Sequence, residues 1–306
     1  MRSLRIIFMG TPQFAVPSLE VLIKHNYNLV AVITAADKPK GRGRQLAVSP
    51  VKECAEAHGI PVLQPTNLKS PLFLEELKRY QANLQVVVAF RMLPEAVWNM
   101  PEYGTFNLHA SLLPKYRGAA PIHWAIINGE KETGVTTFFI KHEIDTGSII
   151  LQATEPVYET DTTGSLSERL MKKGAESVLK TVRLIGSGNY DLTPQDLSFD
   201  LPKAPKLYQE DCEIDWKQEA DQIVNFIRGL NPNPSAWTVI RGTSYKIHRA
   251  QVVENMALPG EAGYYQTDGI SCLNFKSGKG VVSIKEIQAP GKRKMPIEEF
   301  LRGNKL

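Results

Sequence analysis

A chain of 306 residues is long for one ordinary domain and comfortable for two. With 42% hydrophobic and 22% charged residues it has the make-up of a soluble globular protein, and no tract of about 18 apolar residues is available to span a bilayer. The net charge of +4 is too mild to demand a polyanionic partner. The distant cysteines Cys54, Cys212 and Cys272 offer neither a disulfide framework nor paired metal-ligand spacing, which fits a reducing, cytoplasmic compartment.

The first half alternates strand-like and helix-like segments. Ile6 to Met9 reads as a buried strand rather than a leader, because the apolar run stops at Gly10 and Pro12. A helix is expected from about Pro17 to His25, and a second strand from Leu29 to Thr34. Ser49-Pro50 offers an N-cap and a proline at the first helical position, with Gly59 as the stop. Strands follow at Val62-Leu63, 85–89 and 105–109, with a helix near 71–80; the β-branched density of Val86-Val87-Val88 marks a strand buried on both faces. Strand pairs are expected at 135–140 and 148–154. Leu166, Leu170, Ala175, Val178, Leu179 and Val182 then recur at helical spacing from Gly164 to about Ile185. This is the pattern of an α/β, Rossmann-like domain with a mostly parallel sheet over residues 1–186.

Residues 187–211 hold three prolines and no sustained period, and are expected to be a linker. From 212 to 306 one helix around Ala220, Ile223, Val224 and Ile227 is followed by short strands near 237–240, 245–253, 263–267, 270–275 and 280–287. That spacing suggests a small β-barrel of the OB-like type, a common nucleic-acid platform. The basic charge is concentrated: residues 241–306 carry eleven Lys/Arg against six Asp/Glu, and Lys38-Pro39-Lys40-Gly41-Arg42-Gly43-Arg44 carries four cations. Either patch attracts polyanions or is a solvated face.

The turn Gly10-Thr11-Pro12-Gln13-Phe14 stands where a dinucleotide fold places three glycines, and only one is present, so NAD or FAD binding is not expected. Phe14 either staples the core or lines a pocket at the carboxyl edge of the sheet. Asn107 and His109 are two apart on a strand and so share a face at its carboxyl end. They either satisfy backbone groups or converge on a ligand. The long small-residue loop from Pro114 to Pro121 favours the second reading. Asp145-Thr146-Gly147 offers a carboxylate to orient the imidazole, or a plain turn. A single Asp-Thr-Gly in an α/β chain does not make an aspartic protease, which needs two sharing one proton. No two of the six histidines have helical metal-ligand spacing, and no Ser or Cys nucleophile sits in an elbow. An Asn, His and Asp set of this kind suits direct attack by a substrate amine on an activated carbonyl.

The run Asn107-x-His109-x-Ser111-Leu112-Leu113-Pro114, followed by Tyr116-Arg117-Gly118-Ala119-Ala120-Pro121-Ile122 and Asp145-Thr146-Gly147, resembles the formyltransferases that use 10-formyltetrahydrofolate. The resemblance extends over nearly the whole chain, including Ile7-Phe8-Met9-Gly10-Thr11-Pro12, Lys40-Gly41-Arg42-Gly43, Ile214-Asp215-Trp216 and Asn231-Pro232. It implies catalysis by Asn107, His109 and Asp145: Asn107 donates to the formyl oxygen, His109 polarises it and moves protons, and Asp145 holds His109. It implies a folate site against Phe90-Arg91-Met92-Leu93 and Ser111, Leu112, Leu113 and Pro114, with 10-formyltetrahydrofolate as co-substrate and no metal.

Through the basic loop and C-terminal domain the resemblance further implies that the acceptor is initiator methionyl-tRNA, with Lys40 and Arg42 at the acceptor-stem end, Phe14 at the methionyl side chain, and Lys292, Arg293 and Lys294 either on the tRNA or on a solvated edge. No membrane or protein partner is implied. Two positions depart from the family's usual residues, Arg91 after Phe90 and His142-Glu143 ahead of Ile144; His142 reads as a surface residue. A sugar-nucleotide amine, glycinamide ribonucleotide, or a non-catalytic nucleic-acid role are the competing readings.

Overall fold

A computed structural model describes residues 2–40 and 45–306. The chain opens with strand β1 (Arg5–Gly10), a 3-10 turn at Gln13–Ala15 and helix α1 (Val16–Lys24), then β2 (Asn28–Ile33). A short hairpin, β3 (Lys38–Lys40) and β4 (Gln45–Ala47), lies in the basic loop, which has no alternating apolar pattern to announce it. Helix α2 (Pro50–Ala57) is capped as expected, the Ser49 hydroxyl accepting from the Lys52 N–H at 3.1 Å. There follow β5 (Val62–Leu63), α3 (Pro71–Arg79), β6 (Leu84–Val88), the short α4 (Glu95–Trp98), β7 (Thr105–His109), β8 (Arg117–Gly118), α5 (Pro121–Ile127), β9 (Glu132–Phe139), β10 (Ile149–Pro156) and the long α6 (Thr163–Ser187).

One sheet of seven strands runs in the order β10-β9-β7-β6-β1-β2-β5. Its strands β7, β6, β1, β2 and β5 are parallel, and β9 adds to β7 antiparallel. This is the expected Rossmann-like arrangement. Strand β6 is buried at all five positions, as its valine run requires. Leu166, Leu170, Val178, Val182 and Ile185 of α6 are buried on a single stripe. Midway along it Gly174 has a packing purpose: a Cβ there would lie 2.7 Å from Leu108 Cδ2, so the glycine lets α6 close onto β7.

The chain clusters into two compact units, one of Met1–Arg117, Gly134–Glu155 and Ser167–Pro202, the other of Gly118–Thr133, Pro156–Leu166 and Lys203–Leu306. The second contains β11 (Lys203–Ala204), α7 (Ala220–Gly229), β12 (Ala236–Ile240), β13 (Thr243–Val253), β14 (Tyr265–Thr267), β15 (Leu273–Lys276), β16 (Val281–Gln288), β17 (Met295–Pro296) and α8 (Ile297–Gly303). Its sheet runs β12-β13-β16-β15-β14 with β17 on β16, an antiparallel sheet curled into a half-barrel. The core beneath it includes Ile223 and Ile227 of α7, Ile247, Phe275, Ile284 and Phe300. The strand expected from Ile270 starts later, at Leu273, because Asp268 accepts N–H bonds from Ile270, Ser271 and Cys272 and folds them into a turn. Those bonds, with the Ser271 hydroxyl first among them, hold the Asp268 carboxyl far below its ordinary range.

Candidate active site

Parallel strands of an open α/β sheet deliver side chains to their carboxyl edge. Strand β7 ends there on His109, which is 6% exposed. Its Nε2 lies 2.8 Å from the Tyr116 carbonyl oxygen. A carbonyl only accepts, so Nε2 carries the hydrogen. The other ring nitrogen, Nδ1, faces Asp145 Oδ2 at 3.7 Å, an ion-pair distance longer than a hydrogen bond. The imidazole is thus fixed at one nitrogen by backbone and presents the other beside a carboxylate.

Both of its neighbours come from left-handed backbone, Tyr116 at φ 58 and Asp145 at φ 55. Such a conformation costs on the order of 1 kcal/mol for a residue like tyrosine and persists where the surroundings impose it. Asp145 lies in the turn between β9 and β10. Gly147 is essential to that turn, since a Cβ would fall 1.6 Å from the Phe139 carbonyl oxygen.

Asn107 lies on the same face of β7 as His109, one pleat nearer the sheet interior, and is half-buried between fully buried neighbours. Its side-chain amide has no hydrogen-bond partner among the described residues.

The segment after β7 is tied down internally. The Ser111 hydroxyl donates to the Lys115 carbonyl at 2.7 Å, and Thr136 Oγ1 donates to the Ser111 carbonyl at 2.6 Å. The Leu113 N–H donates to Thr136 Oγ1, and Gln152 Nε2 to the Leu113 carbonyl. Ser111 and Leu113 are buried, Leu113 against Phe138 and Ile149, so only Leu112 and Pro114 remain half-exposed as a wall.

The loop 90–93 leaves the carboxyl end of β6, whose Val88 pairs with Leu108. Leu93 is buried in a core cluster against which Phe90 also packs, and Met92 is 72% exposed. Arg91 donates to the carbonyls of Pro65 and Thr66, so its guanidinium is spent on the neighbouring loop. His142 has an exposed side chain that meets Glu95 Oε1 at 3.3 Å and Trp98 edge-to-face.

Phe14 is half-buried in the 3-10 turn after β1. Lys40 ends β3, and Arg42 lies outside the described residues. Beneath that hairpin, Lys52 Nζ binds Asp37 Oδ2 at 2.5 Å and Gln64 Oε1 at 3.0 Å. The Lys52 hydrogen bond leads the causes that lower the Asp37 carboxyl, and the Asp37 bond those that raise the Lys52 amine.

Lys292, Arg293 and Lys294 are exposed and distant in sequence from the trio; Arg293 pairs with Glu299 at 2.7 Å and Lys294 with Glu286 at 3.6 Å. Among the described residues no group of three His, Cys, Asp or Glu stands ready to hold a metal, and no helix is long and apolar enough to cross a membrane.

The sequence motifs missed the Tyr116 carbonyl and Gln195, whose Nε2 donates to the carbonyls of both Asp145 and Gly147 at 2.8 Å. A backbone acceptor and a partner fifty residues away leave no local signal.

The formyl transferase family model matches residues 4–182, and the model of the formyl transferase C-terminal domain matches 206–305. A methionyl-tRNA formyltransferase of Flavobacterium johnsoniae is 50% identical over 99% of this chain and 97% of its own. In fold, the N-formyltransferase of Helicobacter canadensis, in complex with folinic acid and dTDP-3-aminofucose, matches with a TM-score of 0.68 at 22% identity, over 96% of this chain and all of its own. HypX of Aquifex aeolicus, in complex with tetrahydrofolic acid, matches at 0.65 and 22% identity over 98% of this chain and 48% of that longer one. Identity at half of the positions over nearly the whole chain and matches to both family models lead to one conclusion: the chain belongs to the methionyl-tRNA formyltransferase family and is an enzyme that transfers formyl groups.

Proposed function

We propose that the chain transfers the formyl group of 10-formyltetrahydrofolate to the free amino group of initiator methionyl-tRNA in the cytoplasm, giving N-formylmethionyl-tRNA for translation initiation. The observation that carries this reading is the pairing of His109 and Asp145 beside the unpartnered amide of Asn107. The folate supplies a formyl group activated by its attachment to N10; the new C–N bond forms at the amine as the C–N10 bond breaks, with one proton lost by the amine and one gained at N10.

Asn107 donates to the formyl oxygen as charge gathers there. His109, whose Nε2–H is spent on Tyr116, turns Nδ1 to the reacting groups. Asp145 stabilises the imidazole when it holds the extra proton and helps draw the proton from the amine. The residues at 90–93 fit a flat pterin: Phe90 and Met92 offer apolar surface beside β7, Leu93 and Arg91 anchor the loop, and Leu112 and Pro114 face it from the segment after β7, fixed by Ser111 and Leu113.

Residues 1–186 then form the catalytic domain, 187–211 the linker and 212–306 the tRNA-binding domain. Phe14 contacts the methionyl side chain, while Lys40, Arg42, Lys292, Arg293 and Lys294 contact phosphates. A panel of acceptors given labelled 10-formyltetrahydrofolate tests the reading. Label on methionyl-tRNA and none on free methionine, glycinamide ribonucleotide or dTDP-amino sugars is the expected result; label on an amino sugar alone contradicts it.

A further inference from the structure

The stretch after α6 looks like a passive connection in the sequence, yet from Tyr190 to Pro202 it is bonded to the turn that carries Asp145 and to Tyr116. Tyr190 meets Phe139 ring to ring at 6.1 Å. Thr193 exchanges two backbone hydrogen bonds with Ile149, at 2.8 and 3.0 Å, and so adds itself to the edge of β10. The Pro202 carbonyl accepts the Tyr116 N–H at 2.6 Å, and it is the Tyr116 carbonyl that accepts the hydrogen bond from His109 Nε2–H.

Between these fixed points every residue from 191 to 200 is exposed except Gln195. Its amide nitrogen donates both hydrogens, one to the Asp145 carbonyl and one to the Gly147 carbonyl. Its Oε1 is buried with no partner. The two donated bonds bracket the turn whose left-handed residue is Asp145.

We infer that Gln195 is a positioning residue of the active site: by clamping the carbonyls of Asp145 and Gly147 it sets where the Asp145 carboxylate stands relative to His109 Nδ1. This rests on the proposed roles of His109 and Asp145. The remainder of the strap fixes the other side of the same imidazole, through Pro202 and Tyr116, so the segment joining the two halves of the sequence holds both groups that flank His109.

The test is a double-mutant cycle on the full chain, with initial-rate formylation of methionyl-tRNA as the readout. Gln195→Met keeps the length and removes both donors together with the unpartnered oxygen. Expected is a fall in kcat of about tenfold, as a shift of a fraction of an ångström produces, with KM for methionyl-tRNA and for 10-formyltetrahydrofolate each within about twofold. In an Asp145→Asn background the same change is expected to cost less than about twofold, because residues acting as one unit are not additive.

Wild-type kcat in Gln195→Met overturns the inference, and so does a full tenfold loss repeated in the Asp145→Asn background, which marks a merely structural role. Full activity in Asp145→Asn alone overturns the underlying reading of the pair, and is seen without reference to Gln195. If the methionine variant does not fold, Gln195→Glu keeps the shape, replaces the donating nitrogen by oxygen and is expected to show the same fall in kcat.

Discussion

His109 is 6% exposed, fixed to a backbone carbonyl at 2.8 Å and faced by a carboxylate at 3.7 Å, whereas Lys292, Arg293 and Lys294 stand in water with two of the three leaning on glutamates. The first arrangement is held by residues 7 and 36 positions away, and its turn by one 50 positions away; the second is held by residues 6 and 8 positions away. The contrast follows from the role proposed for each. A proton carrier is useful only at a defined distance and angle, so its geometry is fixed by the fold. A cation that meets a phosphate acts through a field and gains from keeping its freedom.

The comparison breaks most visibly at Asn107. Asn107→Ala removes the amide donor without disturbing a bond in the protein, and kcat is expected to fall on the order of 10²–10³, with methionyl-tRNA affinity unchanged in a filter-binding titration. An unchanged kcat would place the oxyanion donor elsewhere. Gly147→Ala comes next. Its Cβ would overlap the Phe139 carbonyl, a backbone atom with little room to move. A stability loss of about 1–3 kcal/mol in urea unfolding is expected, together with a fall in kcat larger than that of a core variant of equal stability, since the turn carries Asp145. Equal losses in the two variants would mean that the turn only supports the fold.

Much of the fold was legible because its signals are local. The valine run of β6, the apolar stripe of α6 and the Ser49-Pro50 cap each lie within one segment, and the structure has all three. Asn107 and His109 were legible for the same reason, as alternate positions on one strand. What stayed hidden depends on pairs far apart. Gly174 looks like a helix weakness of about 1 kcal/mol until Leu108 is seen against it. Gln195 looks like one polar residue among many, and Tyr116 like an aromatic in a loop, until their bonds to the Asp145 turn and to His109 are seen. Helix α8 is only seven residues long, and its Ile297, Phe300 and Leu301 become a core face only against the half-barrel.

The second unit also carries two imidazoles that respond to acid. In the C-terminal unit His123 donates from Nε2 to the Asn233 carbonyl, and His248 contacts Gln288 Oε1 at 2.9 Å with its Nδ1 buried and unpartnered. Burial is the first cause that pushes both imidazoles below their ordinary value. The unfolded chain therefore binds more protons than the folded one in the window between the depressed values and about 6.5, and stability rises with pH across it. Thermal unfolding is expected to be level above about pH 7 and to move to lower temperature as pH falls below about 6.5. His248→Gln should flatten that slope, and an unaltered slope would assign it to other groups.

The smallest effect is expected at the exposed cluster. Each phosphate neutralised contributes roughly 0.7–0.9 to the salt dependence of binding. Because Arg293 and Lys294 already face Glu299 and Glu286, replacing all three cations by alanine should lower the log–log slope for methionyl-tRNA by about one, not about three. A drop near three would show that the glutamates release both side chains on binding, and no change would leave the cluster as a solvated edge.

The measurement that reaches the central claim most directly is single-turnover transfer of labelled formyl from 10-formyltetrahydrofolate to methionyl-tRNA, with enzyme in excess, by wild type and by His109→Gln. Expected are label on the amino group of the wild-type product and a rate at least about a hundredfold lower in the variant, with bound methionyl-tRNA unchanged. Transfer at the wild-type rate without His109, or no transfer to methionyl-tRNA by the intact chain, would contradict the claim.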